Sequence, residues 1–225
     1  MRRDIVTSTI AVVVFTILLG LIYPLAITGI SQVAFPGNAN GQKLYVGGKL
    51  VGSKLIGQNF GTAVLEKNGK AKVVKGAVVT KADPRYFQSR PSATEGGADN
   101  AAASTFSNHG PNSTRTEEAD AENIKAYIEL NTAPSKQPYD PQLSVAKIPV
   151  DAVNSSASGL DPEISQANAW IQAYRIAVVR HLSRATVDGL IARYTSGRGL
   201  GFSGEEGVNV LELNLALDRI GGAGA

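Results

Sequence analysis

The chain of 225 residues contains no cysteine. Disulfides, thiolate metal sites and cysteine nucleophiles are therefore excluded. Only two histidines, His109 and His181, can serve as metal ligands or general bases. A Gly-x-x-x-x-Gly-Lys-Ser/Thr phosphate loop, a Gly-x-Ser-x-Gly elbow and a His-Glu-x-x-His helix are all missing. The glycine-rich run Gly197-Arg198-Gly199-Leu200-Gly201 follows a helical pattern rather than a strand, so it reads as a loop and not as a dinucleotide fingerprint. Charge is sparse at 18%, the net charge is +3, and both signs are interspersed. With no basic stripe or cluster, nucleic acid is not the expected partner.

What is present is one long apolar run. From Ile5 to Ala34 there is no charged residue, and Arg2, Arg3 and Asp4 stand directly before it. A helix rises about 1.5 Å per residue, so about 20 apolar residues cross a bilayer core. The run predicts a transmembrane helix over 9–33. Excess Lys and Arg mark the cytoplasmic side, which puts residues 1–8 inside and 34–225 outside the cytoplasm. A cleaved signal peptide is the competing reading, but its apolar region is usually about 7–15 residues long. The run here is longer, and Gly29-Ile30-Ser31 is a poor cleavage match. Tyr23-Pro24-Leu25 interrupts the helix with a proline, which removes a backbone donor. Gly20 and Gly29 add small surfaces, and Thr16 and Thr28 add hydroxyls able to bond to a second helix. Two readings follow: a kinked lone anchor, or a helix docked on a membrane partner through Gly20, Tyr23, Pro24 and Gly29. A single span forms no transport path by itself.

The rest of the chain reads as one α+β domain. Gly47-Gly48 between Lys43–Val46 and Lys49–Val51 signals a two-residue hairpin, and Leu55–Phe60 a short strand or turn. A second hairpin is expected at Asn68-Gly69, with arms Ala63–Lys67 and Ala71–Val74, then a strand at Gly76–Thr80. From Arg90 to Thr116 the composition suits a disordered linker or a functional loop. Thr116 is expected to cap a helix with Ile124, Tyr127, Ile128 and Asn131 on one face, ended by Pro134, Pro138 and Pro141. Val150–Val153 reads as a strand. Ile164, Ala167, Ile171, Tyr174 and Val178 mark the inner face of a helix. Ser183 caps the next, with Val187, Leu190, Ile191 and Tyr194 inward. Val210, Leu213, Leu217 and Ile220 stripe a last helix, stopped by Gly221-Gly222.

Ser158-Gly159-Leu160-Asp161-Pro162 is either a strand-to-helix corner or a helix start offering N–H donors to a phosphate. Arg90-Pro91-Ser92 beside Tyr86-Phe87 is either a docking contact or a surface ion pair. His109 reads as a hydrogen-bonding loop residue. His181 falls in a last helical turn, where a cation is favoured. Trp170, Gln172, Arg175 and Arg180 share one helix and read as surface or core rim, with Gln172 able to reach a partner or ligand.

Seven blocks in order complete the reading. They are Tyr23-Pro24-Leu25, Ala39-Asn40-Gly41, Gly52-Ser53-x-Leu55-Ile56-Gly57-Gln58-x-Phe60, Tyr86-Phe87-x-x-Arg90-Pro91-Ser92-Ala93, Ser107-Asn108-x-Gly110-Pro111-Asn112, Ser156-Ala157-Ser158-Gly159-Leu160-Asp161-Pro162-x-Ile164-Ser165, and Val208-Asn209-Val210-Leu211-x-Leu213-Asn214-x-Ala216-Leu217-Asp218. Together they resemble the C subunit of the bacterial potassium-transporting ATPase, the KdpC family. The chain departs from the family pattern at residues 61–85, read as an inserted hairpin, at Ser89 where glycine is common, and at His109 where leucine is common.

The resemblance implies a non-catalytic subunit of a P-type pump in the plasma membrane. Its partners would be a channel-like potassium-binding subunit and a P-type ATPase catalytic subunit, and the complex would handle ATP and potassium. No cofactor is expected on this chain. Gln58, Tyr86, Phe87, Arg90, Asn108 and Asn112 become partner-contact candidates. A nucleotide-assisting role proposed for the family would fall on Ser156, Ser158, Gly159 and Gln172. A free-standing envelope binding domain is the reading from a different class.

Overall fold

The computed structural model describes residues 1–74, 77–94, 99–105, 107–110 and 112–221; Gly76, Pro111 and Gly222, singled out above, lie outside them. The chain is α+β and divides into two compact units, Met1–Ser53 and Lys54–Ala225.

The first unit holds a helix of 33 residues, Arg2–Ala34, long and apolar enough to cross a membrane. Its segments are α1 (Arg2–Ile17), a π-helical turn (Leu18–Ile22) and α2 (Tyr23–Ala34). Pro24 explains the turn. It has no N–H to give, and its ring crowds the carbonyl four residues back. The helix widens to five-residue spacing just before it, with the Tyr23 N–H on the Leu18 carbonyl. The short α3 (Pro36–Ala39) follows, then β1 (Lys43–Val46) and β2 (Lys49–Ser53). They pair antiparallel, Val46 opposite Lys49, with a bulge between Leu44 and Tyr45. Gly47 and Gly48 both have positive φ, which a two-residue turn of the primed type requires.

In the second unit Leu55–Phe60 is a turn and an extended stretch, not a strand. Between residues 61 and 82 the described strands form two antiparallel pairs, one nested inside the other. β3 (Gly61–Ala63) pairs β6 (Thr80–Ala82), and β4 (Val73–Val74) pairs β5 (Ala77–Val78). A bridge between Leu65 and Ala71 closes the Asn68-Gly69 tip. The next helix, α4 (Thr114–Leu130), starts two residues before Thr116, with Ser113 at its N-cap. The Thr116 hydroxyl donates back to the Gly110 carbonyl instead. Tyr127 and Asn131 are buried as the helical spacing predicts. Val150–Ala152 is a turn of 3₁₀ helix rather than a strand, entered from Pro149, whose carbonyl accepts the Ala152 N–H.

The core lies between a three-stranded sheet and three helices. The sheet runs β7 (Glu163–Ile164), β9 (Gly207–Asn209), β8 (Thr195–Ser196), antiparallel throughout. The helices are α5 (Gln166–Val179), α6 (Arg184–Arg193) and α7 (Val210–Ile220). Ile164, Ile176, Val187, Ile191, Val208, Leu213 and Leu217 pack together with Phe87. Full burial of one such side chain contributes about 1.5–3 kcal/mol. Ser183 and Asn209 cap α6 and α7 by accepting from Thr186 and Glu212.

α5 corrects the expected inner face. Ala167 and Val178 are exposed, while Asn168, Ala169, Gln172, Ala173, Arg175 and Ile176 are buried. Small alanines let the sheet and neighbouring helices approach, and the polar side chains among them are hydrogen-bonded. His181 lies just past the helix with φ 54°. There the His181 and Leu182 N–H groups close onto the Val178 and Ala177 carbonyls, a Schellman ending.

Candidate functional site

The corner Ser156–Asp161 is folded by its own serines. Ser156 Oγ accepts the Gly159 N–H at 3.0 Å, and Ser158 Oγ accepts that of Leu160 at 3.1 Å. In the stretch after Arg90, Ser92 and Ser104 are tied to this corner rather than left as free linker. Ser92 Oγ donates to the Gly159 carbonyl (2.8 Å) and accepts the Asp99 N–H (3.0 Å), and Ser104 Oγ donates to the Ser158 carbonyl (2.8 Å). Gly159 has φ 73°, and a Cβ there would lie 2.4 Å from Thr94 Cγ2. Gly57 enters from the other side, its N–H on the Leu160 carbonyl at 2.8 Å. Arg90 Nη1 meets Asp161 Oδ2 at 2.8 Å, both side chains about one-third exposed. Asp99 is pushed up to about 6 by burial and by the nearby Asp161 charge.

A phosphate-binding helix start is not found here. α5 begins at Gln166 with Ser165 as its cap, three residues beyond Pro162. A carboxylate already stands at this start: Asp151 accepts from the Ser165 N–H (2.8 Å), the Ser165 hydroxyl (2.8 Å) and the Asn168 side-chain amide (3.0 Å), while the Asn168 N–H goes to Ser165 Oγ (3.1 Å). The position an anion would take is filled from within the chain.

Beside the corner runs a buried polar network around the extended segment Tyr86–Gln88. Side-chain amides pair with its backbone as a neighbouring strand would. Asn214 Oδ1 accepts the Phe87 N–H and its Nδ2 donates to the Phe87 carbonyl, both at 2.9 Å. Gln172 does the same for Gln88, at 2.8 and 3.1 Å. A carboxamide carries the same donor and acceptor as a peptide group, which makes it suited to this pairing. Arg175 is wholly buried and donates to the carbonyls of Pro84 and Tyr86 and to the side chains of Asn131 and Gln172. Burial lowers its guanidinium to about 10. Tyr127 closes the network with its hydroxyl on Asn168 at 3.0 Å. Burial pushes that phenol up.

These positions sort the candidates. Phe87, expected at a partner contact, is a core residue with no exposed surface in this chain. Gln172 has its amide fully engaged and is buried. Ser156 is buried, while Ser158 faces outward. Tyr86 is half-buried between the guanidinium groups of Arg180 (4.7 Å) and Arg85 (5.9 Å), with its hydroxyl 3.3 Å from Asp218. Arg180 also reaches Asp218 at 2.7 Å, and Arg85 pairs with Asp83 at 2.8 Å. Burial alone would raise Asp83, but the hydrogen bonds and charge of Arg85 hold it below the usual carboxylate value. Gln58, Asn108, His109 and Asn112 are exposed, and Asn112 edges a groove of about 490 Å³ along the first turns of α4. Gly20, Tyr23, Pro24 and Gly29 sit on the apolar helix with open surroundings. Among the described residues no group of three or more His, Asp and Glu gathers as a metal site.

Arg175, Asn131, Asn168 and Asp151 have no motif to mark them. The one available signal is an Arg and two amides spaced within a helix between alanines, a polar face where a core face must be. A wider groove of about 590 Å³ lies along the outer side of α5, floored by Trp170 and Tyr174.

The family model described as K+-transporting ATPase, c chain (KdpC) matches residues 5–219. The chain belongs to the KdpC family. A Mycobacterium tuberculosis protein called potassium-transporting ATPase KdpC subunit is 42% identical over 220 residues, covering 98% of this chain and all of that one. The subunit of the same description from Methylococcus capsulatus is 43% identical over 214 residues, 95% of this chain and 96% of its own. That from Koribacter versatilis is 39% identical over 218 residues, 97% and 95% of the two chains. The KdpC match runs from the apolar helix to the last turn of α7, so it takes in both units. The corner, the loop laid on it and the amide-paired segment all lie within the KdpC region.

Proposed function

We propose that the chain is a non-catalytic accessory subunit of an ATP-driven potassium uptake complex in the plasma membrane. The observation that carries this reading is the KdpC match over 5–219, anchor helix included. The single span binds the chain to the membrane and docks on its partners through the Gly20, Tyr23, Pro24 and Gly29 region. The partners are a channel-like potassium-binding subunit and a P-type catalytic subunit. Arg2 and Arg3, the only basic residues before the span, favour a cytoplasmic amino terminus and an outer domain. That domain stabilises the assembly and lies beside the ion entrance of the channel-like subunit.

Direct use of ATP is disfavoured in this reading. An outer domain has no access to cytosolic nucleotide. Ser156, Gly159 and Gln172 are also committed to hydrogen bonds within the chain. The test is deletion of the chain from cells that depend on the pump. Expected is loss of the assembled complex and of potassium-stimulated ATPase activity; intact assembly and uptake without the chain would overturn the proposal.

A further inference from the structure

The apolar helix ends in a collar that fixes the β1–β2 hairpin beside its exit. Gln32, in the last turn of α2, and Asn40 exchange two amide hydrogen bonds, at 3.0 and 3.4 Å. The Gln42 amide donates to Asn38 at 3.1 Å, and the Ser53 hydroxyl donates to the Gly41 carbonyl at 2.6 Å, closing the base of the hairpin. Lys43 follows Asn40 by three residues, so its backbone lies within about 11 Å of that tie. The exit itself belongs at the bilayer surface. The uncharged stretch Ile5–Ala34 rises about 45 Å as a helix, against about 30 Å of hydrocarbon. A span with such an excess tilts. Its end carries Val33 and Phe35, 87% and 61% exposed, which are better placed against lipid than in water.

We propose that the β1–β2 hairpin seats on the anionic phospholipid surface from which the helix emerges, an inference that rests on the reading of Arg2–Ala34 as a span. Charge is the first argument. Between Asp4 and Glu66 the sequence has no acidic residue, and the three cations there, Lys43, Lys49 and Lys54, all fall on or beside the hairpin. Lys54 is paired with Glu212 at 2.6 Å, which leaves Lys43 and Lys49, both exposed, to set the hairpin's sign. Basic side chains next to a span are drawn to anionic headgroups within a Debye length. Register is the second argument. Tyr45 stands directly opposite Leu50, so both side chains leave the same face, 57% and 58% exposed. Lys43, two residues before Tyr45, shares that face. A tyrosine with an aliphatic partner and a flanking lysine suits the headgroup layer, where ring, hydroxyl and ammonium each find their medium. The third argument is the fold. Among the described residues the two strands pair only with each other, and a lone two-stranded ribbon is marginally stable in water. A lipid surface supplies the second layer that the ribbon lacks.

The test uses the full chain reconstituted in vesicles of phosphatidylcholine and phosphatidylglycerol in equal parts. Because the sequence has no cysteine, one added thiol carries the fluorophore NBD, from Leu50→Cys on the hairpin or Leu19→Cys within the span. Expected is quenching of the label at 50 by headgroup-nitroxide lipid, with protection from aqueous iodide. Nitroxide phosphatidylglycerol should associate with position 50 at least about fivefold more strongly than nitroxide phosphatidylcholine, and Lys43→Gln with Lys49→Gln should abolish that preference. A label at 50 that iodide reaches and headgroup nitroxide does not would overturn the proposal. So would a preference that survives loss of both lysines. In the intact pump, protection at 50 from both quenchers would put another subunit on the hairpin and equally overturn it. Position 19 separates these results from failure of the span. If acyl-chain nitroxides leave it unquenched, Arg2–Ala34 does not cross the bilayer and the reading beneath the proposal fails with it.

Discussion

Arg175 places its Nη1 2.7 Å from Oδ1 of Asn131, joining the middle of α5 to the C-cap of α4. The same guanidinium holds the carbonyls of Pro84 and Tyr86, at 3.1 and 2.8 Å. Buried acceptors stripped of their donor each cost about 1–3 kcal/mol. Arg175→Ala should therefore lower the unfolding free energy of the chain in detergent by about 3 kcal/mol or more. Urea unfolding followed by circular dichroism checks this, and a loss below about 1 kcal/mol would show that the clamp contributes little.

Gln172→Leu keeps the side chain's bulk but removes the amide that pairs with Gln88. The expected result is a loss of about 1–3 kcal/mol in stability, because the Gln88 N–H and carbonyl lose their partner. Thermal unfolding measures it. A variant of normal stability with altered ATP dependence of the pump would instead point to a direct nucleotide role.

At Gly159 the constraint is steric. An added Cβ would meet Thr94 Cγ2 at 2.4 Å and the Thr105 carbonyl oxygen at 3.0 Å, in a backbone region that side chains rarely adopt. Gly159→Ala should destabilise by about 1–3 kcal/mol. Thr94→Ser removes Cγ2 and keeps the hydroxyl, so it should recover part of that loss in the double variant. A double-mutant cycle on thermal stability decides, and strictly additive losses would place the strain elsewhere.

Asp99 makes the docked loop sensitive to pH. Its carboxyl ordinarily titrates at 3.8 and is raised to about 6 by burial and by Asp161. A carboxyl with a raised folded value binds its proton more tightly when folded. The docked arrangement is thus unpenalised below the ordinary value and weakens as pH rises through about 6. Amide exchange over 99–105, corrected for intrinsic rates, should be slower at about pH 5 than at about pH 7.5. Asp99→Asn should flatten that difference. Equal pH dependence in the variant would remove Asp99 from the account.

The elements legible in the sequence are those whose apolar residues occupy one face only. Val210, Leu213 and Leu217 are buried while Ile220, expected on the same stripe, is exposed, and Ser183 caps α6 with Val187 and Ile191 beneath it. α5 misled because its outer stripe is more apolar than its inner one. Trp170, Ile171, Tyr174 and Val178 outweigh Asn168, Gln172 and Arg175 on any hydropathy count, yet the latter are buried because their hydrogen bonds are met. Val150–Ala152 looked strand-like from its composition, but Pro149 turns the chain into 3₁₀ helix instead. The corner at Gly159 was visible as a turn. Its closure by Ser92 and Ser104, 67 and 54 residues earlier in the chain, was not, since no local rule pairs such distant hydroxyls with a carbonyl.

The π-helical turn ahead of Pro24 also resets the angular phase of everything after it. Thr16 lies before the turn and Thr28 after it. In an unbroken α-helix, twelve steps of about 100° would set these two residues about 120° apart around the axis. One residue absorbed in the wide turn leaves eleven effective steps, and the separation falls to about 20°. The proline thus lines up two hydroxyls into a polar seam along an otherwise apolar helix, and a neighbouring span that reads this seam would lose its register if Pro24 were replaced by alanine.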